Sequence, residues 1–251
     1  MEIEEKICNA IHGQINEFYL QRPNIHNKGM VTCILTDDLY SKRLELAKSQ
    51  KERRLTIESK KDLDSFNGSI LPGRTRNDVV TVLISTKAFQ WDAYTWLGTI
   101  HHEFTHAHDF LDIADYLEIY EMDGIYDYQF YWPFQWWSEF HARDAGLQNV
   151  YRFLYEKSDS SITESICWEI IPKICHQLKS SQNPYTAMQC YGRYSALLEL
   201  YENKILSFKI AGKKFGVPDS MIQIGEFLIA NRVFSSICDK FSTLQDLVNR
   251  V

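Results

Sequence analysis

The sequence predicts an α+β fold, with a small mixed sheet in its first half and helices through its second. Three observations carry that expectation. Runs of strand-forming residues, Met30–Leu35, Leu55–Glu58 and Asp78–Thr86, all fall before residue 90. Apolar residues recur at helical spacing in Ile162–Leu178, Pro184–Tyr201 and Met221–Phe234. Between these regions Thr99–Asp112, TIHHEFTHAHDFLD, reads as one amphipathic helix carrying His102-Glu103-Phe104-Thr105-His106. The 251 residues suit a single domain, with an α/β part over about 1–113 and a mostly helical part over about 114–251.

In chain order, Ile3, Ile7, Ala10, Ile11, Ile15 and Phe18 lie at helical spacing and predict an opening amphipathic helix over residues 3–20. Met30–Leu35 follows as a strand. Ser41–Arg54 is a basic, helical stretch whose charges make a solvated face. Leu55–Glu58 is a second short strand candidate, and Asn67–Asn77, NGSILPGRTRN, is turn-rich. It leads into Asp78–Thr86, DVVTVLIST, the strongest strand candidate in the chain. Phe89, Ala93, Trp96, Leu97 and Ile100 then start the apolar stripe of the motif helix, which continues to Phe104, Phe110 and Leu111. Tyr116–Trp137 is rich in aromatics and punctuated by Asp123-Gly124 and Pro133, hence a loop, either core packing or the wall of a pocket. A helix runs from about Glu139 through Val150 and Phe153, and helices separated by Ser180–Asn183 and Gly212–Asp219 complete the chain.

The chemistry concentrates on H-E-x-x-H. At about 100° per residue His102 and His106 lie roughly 40° apart, one turn from each other, so both imidazoles can reach one metal ion. Glu103 projects from the edge of that face, where its carboxylate can act as general base on a water. Two histidines leave a catalytic zinc one protein ligand short of the usual three. Downstream, WWSEFHARDAG offers Glu139 and Ala142 as E-x-x-A on one helical face, the small Ala allowing close approach to the motif helix.

On these two motifs the chain resembles the gluzincins, the zincin metallopeptidases whose third ligand is a Glu on the helix after H-E-x-x-H. The E-x-x-A form is similar to the minimal, integral-membrane and ImmA-like members of that group. The resemblance covers about residues 78–150. It implies a zincin-like fold with a helical C-terminal lobe, one zinc held by His102, His106 and Glu139, and Glu103 as catalytic base. It also implies that part of Val79–Ser85 forms a sheet edge with which an extended substrate pairs; the residues fit a central strand of a small mixed sheet equally well. The N-E-x-x-x-S-D pattern of thermolysin-like enzymes is missing around Glu139, so nothing further carries over from them.

Other residues stay open at this level. Asp109, seven residues after His102, would lie about 10 Å further along its helix, so it orients a histidine ring or sits solvated. His101, His108 and His141 fall on other faces. Arg152, Tyr155, Tyr185, Tyr191, Arg193 and Tyr194 are equal candidates to stabilise an oxyanion.

A formal charge of −6 argues against nucleic acid as the partner, since phosphate binding wants a basic face. The N-terminus has neither a basic n-region nor a continuous apolar run, and no window approaches the length of a membrane span. The six cysteines form no C-x-x-C pair and read as thiols of a reducing cytosol. The expectation is a cytoplasmic zinc peptidase acting on peptide or protein substrates. The alternative is a metal-binding regulatory or interaction protein of the same fold that cleaves little. A deformylase would need an E-G-C context around an upstream Cys, and a di-iron protein a second E-x-x-H; both are missing.

Overall fold

The computed structural model describes residues 2–91, 93–155, 160–201 and 205–251. They form two compact units, Met1–Tyr128 and Gln129–Val251.

The first unit opens with helix α1 (Glu2–Gln21) and strand β1 (Val31–Thr36). Helices α2 (Leu39–Leu46), α3 (Gln50–Glu58) and α4 (Lys60–Leu63) follow. Then come strands β2 (Gly68–Leu71) and β3 (Val80–Ser85), helix α5 (Ala88–Trp91) and the long helix α6 (Ala93–Tyr116). The sheet is mixed, in the order β1-β3-β2, with β1 parallel and β2 antiparallel to β3.

Strand alternation puts Val31, Cys33 and Leu35 of β1, Val80, Val82 and Ile84 of β3, and Ile70 of β2 on one face. They pack there with Ile11 and Phe18 of α1 and with Ile100, Phe104, Ala107 and Leu111 of α6. The α6 residues recur at three- and four-residue intervals, which is why this helix rather than a polar one covers the sheet. It ends at Glu118, which takes the left-handed conformation (φ 54°) that glycine usually fills after a helix. The Ile119 N–H closes back on the Ala114 carbonyl at 2.9 Å.

Three expectations are corrected here, and one open alternative is decided. Leu55–Glu58 is helical, because α3 starts earlier on a capping box: Ser49 Oγ accepts from the Glu52 N–H at 3.0 Å and Glu52 Oε2 accepts from the Lys48 N–H at 3.1 Å. Ser41–Arg54 is two helices rather than one, divided at the Ser49 cap. Asn67–Asn77 contains a strand, β2, held by pairing with β3. Of the two readings of Val79–Ser85 the central strand is the one observed, so this segment offers no free edge.

Beside it, β2 has its own outer edge. The Asn67 carbonyl accepts from the Ser85 N–H at 2.8 Å, so Gly68 and Ile70 turn their peptide groups away from β3. Arg43 of α2 donates to the Ile70 carbonyl, to Ser69 Oγ and to Thr56 Oγ1, which ties α2, α3 and this edge together.

The second unit is helical throughout its described residues. Helices α7 (Tyr131–Tyr155), α8 (Ser160–Ser180) and α9 (Pro184–Tyr201) are long. They are followed by α10 (Phe208–Lys214), α11 (Asp219–Ala230), α12 (Phe234–Ile237) and α13 (Phe241–Val248). The helices expected after Val150 are present, but the one expected over Met221–Phe234 stops at Ala230 with Phe234 opening α12, and Gly212 lies inside α10 rather than in the break. The aromatic loop is shorter than expected. Met122–Asp127 is a 3-10 turn, and Tyr131–Trp137 already belongs to α7, where Pro133 sits in the first turn and needs no N–H partner. Phe134 and Trp137 are core, packed edge-on against Phe241. No described helix is long and apolar enough to cross a membrane.

Helices α7 and α9 pack most closely in this unit, and Gly192 is the reason. A Cβ on it would stand 2.5 Å from the Phe140 carbonyl oxygen and 2.8 Å from Arg143 Cβ. Backbone cannot yield as a side-chain tip can. Gly192→Ala is therefore expected to destabilise the protein by about 1–3 kcal/mol, read as a lowered midpoint in urea unfolding with far-UV circular dichroism unchanged.

Candidate metal centre

Helix α6 sets the two histidines. His102 and His106 sit half-buried one turn apart, with their rings perpendicular and their Nε2 atoms 3.1 Å apart. Two imidazole nitrogens bound to one tetrahedral zinc at 2.0–2.1 Å would stand about 3.3 Å apart, so the pair needs almost no adjustment to share an ion. The apolar stripe of α6 fixes this presentation, since Leu97, Ile100, Phe104 and Leu111 are all buried.

Glu103 is 8 % exposed, and its side chain lies directly over β2. A Cβ on Gly68 would stand 2.5 Å from Glu103 Cγ and 2.9 Å from its Oε1. Only a glycine at that point of the strand leaves room for the carboxylate. Gly68 thus sets the room that Glu103 has, at a point where the sequence predicts a turn.

Helix α7 carries Glu139, which is fully buried. Ala142, the small residue of E-x-x-A, is fully buried as well. Arg143, one turn after Glu139, brings its Nη2 to 3.8 Å from Glu139 Oε1, an ion pair within one helix. That cation was missed from sequence, although the i,i+4 spacing of Glu139 and Arg143 was there to be read.

Among the described residues, His102, His106 and Glu139 form a group whose offered ligand atoms all lie within 4.8 Å of one another, and it could hold a metal ion. Two imidazoles and one carboxylate make a donor set that fits zinc and related divalent ions.

Other candidates fall elsewhere. Asp109 is 2 % exposed, which removes the solvated reading, and it is not part of the three-residue group. His101 and His108 point to α1 instead. The His101 ring meets Phe18 edge-on, and His108 stacks on Phe18 with its Nε2 3.3 Å from the Tyr19 hydroxyl. Burial pushes His108 down to about 4, against the pull of the Asp109 charge, so it is neutral near pH 7. In the second unit His141 stacks on Trp137.

Two of the candidates for oxyanion stabilisation are committed to packing. The buried Tyr191 and Tyr194 hydroxyls donate to the carbonyls of Met221 and Leu206, and burial pushes both phenols up. Arg193 Nη1 donates to Gln177 Oε1 at 2.7 Å, and Tyr185 is exposed. Arg152 is about 20 Å along α7 from Glu139. The Tyr155 side chain lies outside the described residues.

Compared with protein-family models, with curated proteins and with solved structures, the chain matches none.

Proposed function

We propose that this chain is a zinc-dependent metallopeptidase with a zincin-like arrangement, in which His102, His106 and Glu139 are the metal ligands and Glu103 is the general base. One observation carries the reading: two helices supply a His–His–Glu set whose ligand atoms lie within 4.8 Å of each other. An ion held there would polarise a peptide carbonyl and lower the pKa of a water toward neutrality. Glu103, next in sequence to His102 and confined over Gly68, takes the proton from the attacking water and hands it to the leaving amine. Arg143 sets a positive charge 3.8 Å from the Glu139 carboxylate on the same helix.

The burial of both Glu103 and Glu139 favours a second reading, a metal-binding protein of the same architecture that regulates or binds a partner and cleaves little. One experiment separates the two. Wild type and Glu103→Gln are purified zinc-replete, assayed for metal by elemental analysis, and screened on a degenerate peptide library. Near one zinc per chain is expected in both, with hydrolysis falling at least about 100-fold in Glu103→Gln. Zinc-loaded wild type that cuts no better than Glu103→Gln would favour the second reading. A wild type without zinc would end both.

A further inference from the structure

The C-terminal end of α11 is fastened to α7 at two points, and both lie behind Glu139. The Trp137 indole N–H donates to the Asn231 carbonyl at 2.9 Å. Arg232 Nη2 and Nε donate to Asp144 Oδ2 at 2.9 and 3.2 Å. Trp137, Asp144 and Asn231 are all buried, and Arg232 keeps 24 % of its side chain exposed, so the first contact is formed away from water and the second, charge-assisted one is partly shielded from it.

Their placement on the helix gives them a common effect. Trp137 and Asp144 are seven residues apart, hence on one stripe of α7, about 20° from each other and about 10.5 Å apart along the axis. Glu139 lies between them in sequence but about 140–160° around the helix, on the opposite side. One anchor would leave α7 free to turn about it. Two anchors on one stripe fix both rotation and axial slip, and so fix where a side chain on the far face is presented.

The residues that make the anchors are themselves braced. Lys240 Nζ donates to Asn231 Oδ1 at 2.8 Å and to the Ser236 carbonyl at 2.7 Å. Arg232 Nη1 donates to Glu199 Oε2 of α9 at 2.5 Å.

We propose that Arg232, acting through Asp144, is a positioning residue for the Glu139 carboxylate, so that the metal affinity of the His–His–Glu group depends on the end of α11. This rests on the reading of that group as a metal site. A carboxylate ligand must be placed to within a few tenths of an ångström for a good metal bond, and residues that orient ligands typically carry 10–100-fold in affinity.

The test uses the full chain and two probes, zinc titrated against a competing chelator and cobalt(II), whose visible spectrum reports its ligands. The informative variant is the neutral pair Asp144→Asn with Arg232→Met, which strands no buried charge; Arg232→Lys is the conservative partner. The neutral pair is expected to bind zinc about 10–100-fold more weakly and to change the cobalt spectrum. Arg232→Lys, which keeps a cation against Asp144, is expected to recover most of the affinity. Thermal unfolding of the metal-free proteins is followed alongside. A neutral pair that unfolds more easily but keeps the wild-type zinc affinity and cobalt spectrum would reduce Arg232 to a structural role and overturn the proposal alone. A wild type that binds neither ion would overturn the metal site and this inference together.

Discussion

Replacing Glu139 with alanine is expected to strip the metal from the protein while leaving the helices in place. Two histidines on one turn of α6 still offer nitrogens 3.1 Å apart, so some affinity survives. What goes is the only carboxylate of the group and with it the charge that offsets the ion's own. Loss of an outer partner costs up to about 100-fold in affinity, so loss of a ligand should exceed that. Elemental analysis should therefore read near one zinc per chain in wild type and near none in Glu139→Ala after dialysis against a weak chelator.

Linkage gives an independent readout. At free zinc about 100-fold above Kd, binding stabilises the wild type by about 2.7 kcal/mol, roughly 5–10 °C in a chain of this size. Zinc should raise the unfolding temperature of wild type and leave that of Glu139→Ala almost unmoved. The variant also leaves Arg143 without its anionic neighbour, but Arg143 is about one-third exposed and water can solvate it. A Glu139→Ala protein that keeps stoichiometric zinc would remove Glu139 from the ligand set and with it the case for a gluzincin-like centre.

How far the sequence discloses such a site depends on whether the deciding interaction is local. His102 and His106 share one helix, and 3.6-residue geometry alone brings their rings together. Glu139 comes from another helix, and no periodicity links it to the two histidines; only the E-x-x-A resemblance implies it as a ligand. The long helices were legible because each buries an apolar stripe. The short elements were not. Leu55–Glu58 looks like a strand from composition, yet the Ser49–Glu52 capping box six residues earlier had already committed the segment to a helix. β2 hides among Gly and Pro because it is specified by its partner, β3, rather than by its own residues. Strand order is equally non-local: nothing in Asp78–Thr86 says that it will have neighbours on both sides. Gly68 shows both limits at once, since its role is visible only when Glu103 is seen lying on it.

That contact leads to the second large expected effect. In Gly68→Ala the new Cβ would fall 2.5 Å from Glu103 Cγ, and real carbons do not approach so closely. Either the strand retreats or the carboxylate does. β2 is held in register with β3 from Gly68 to Leu71, and Arg43 holds the Ile70 carbonyl and Ser69 from the other side. Glu103, a side chain with three rotatable bonds, is the softer partner and should move. A displacement of about 1 Å in a general base can cost roughly 100-fold in rate, while His102 and His106, set by the α6 backbone, are not disturbed. The expected signature is a selective one: zinc content near one per chain, peptide hydrolysis down about 100-fold in kcat, and stability lowered by about 1–3 kcal/mol. Glu103→Gln supplies the reference, because a Gly68→Ala change that acts through Glu103 should add little when the two are combined. If instead Gly68→Ala cuts activity equally in wild type and in the residual rate of Glu103→Gln, the glycine acts on the sheet as a whole and not on the base. Full activity in Gly68→Ala would mean that Glu103 works from a position other than the one it holds over β2.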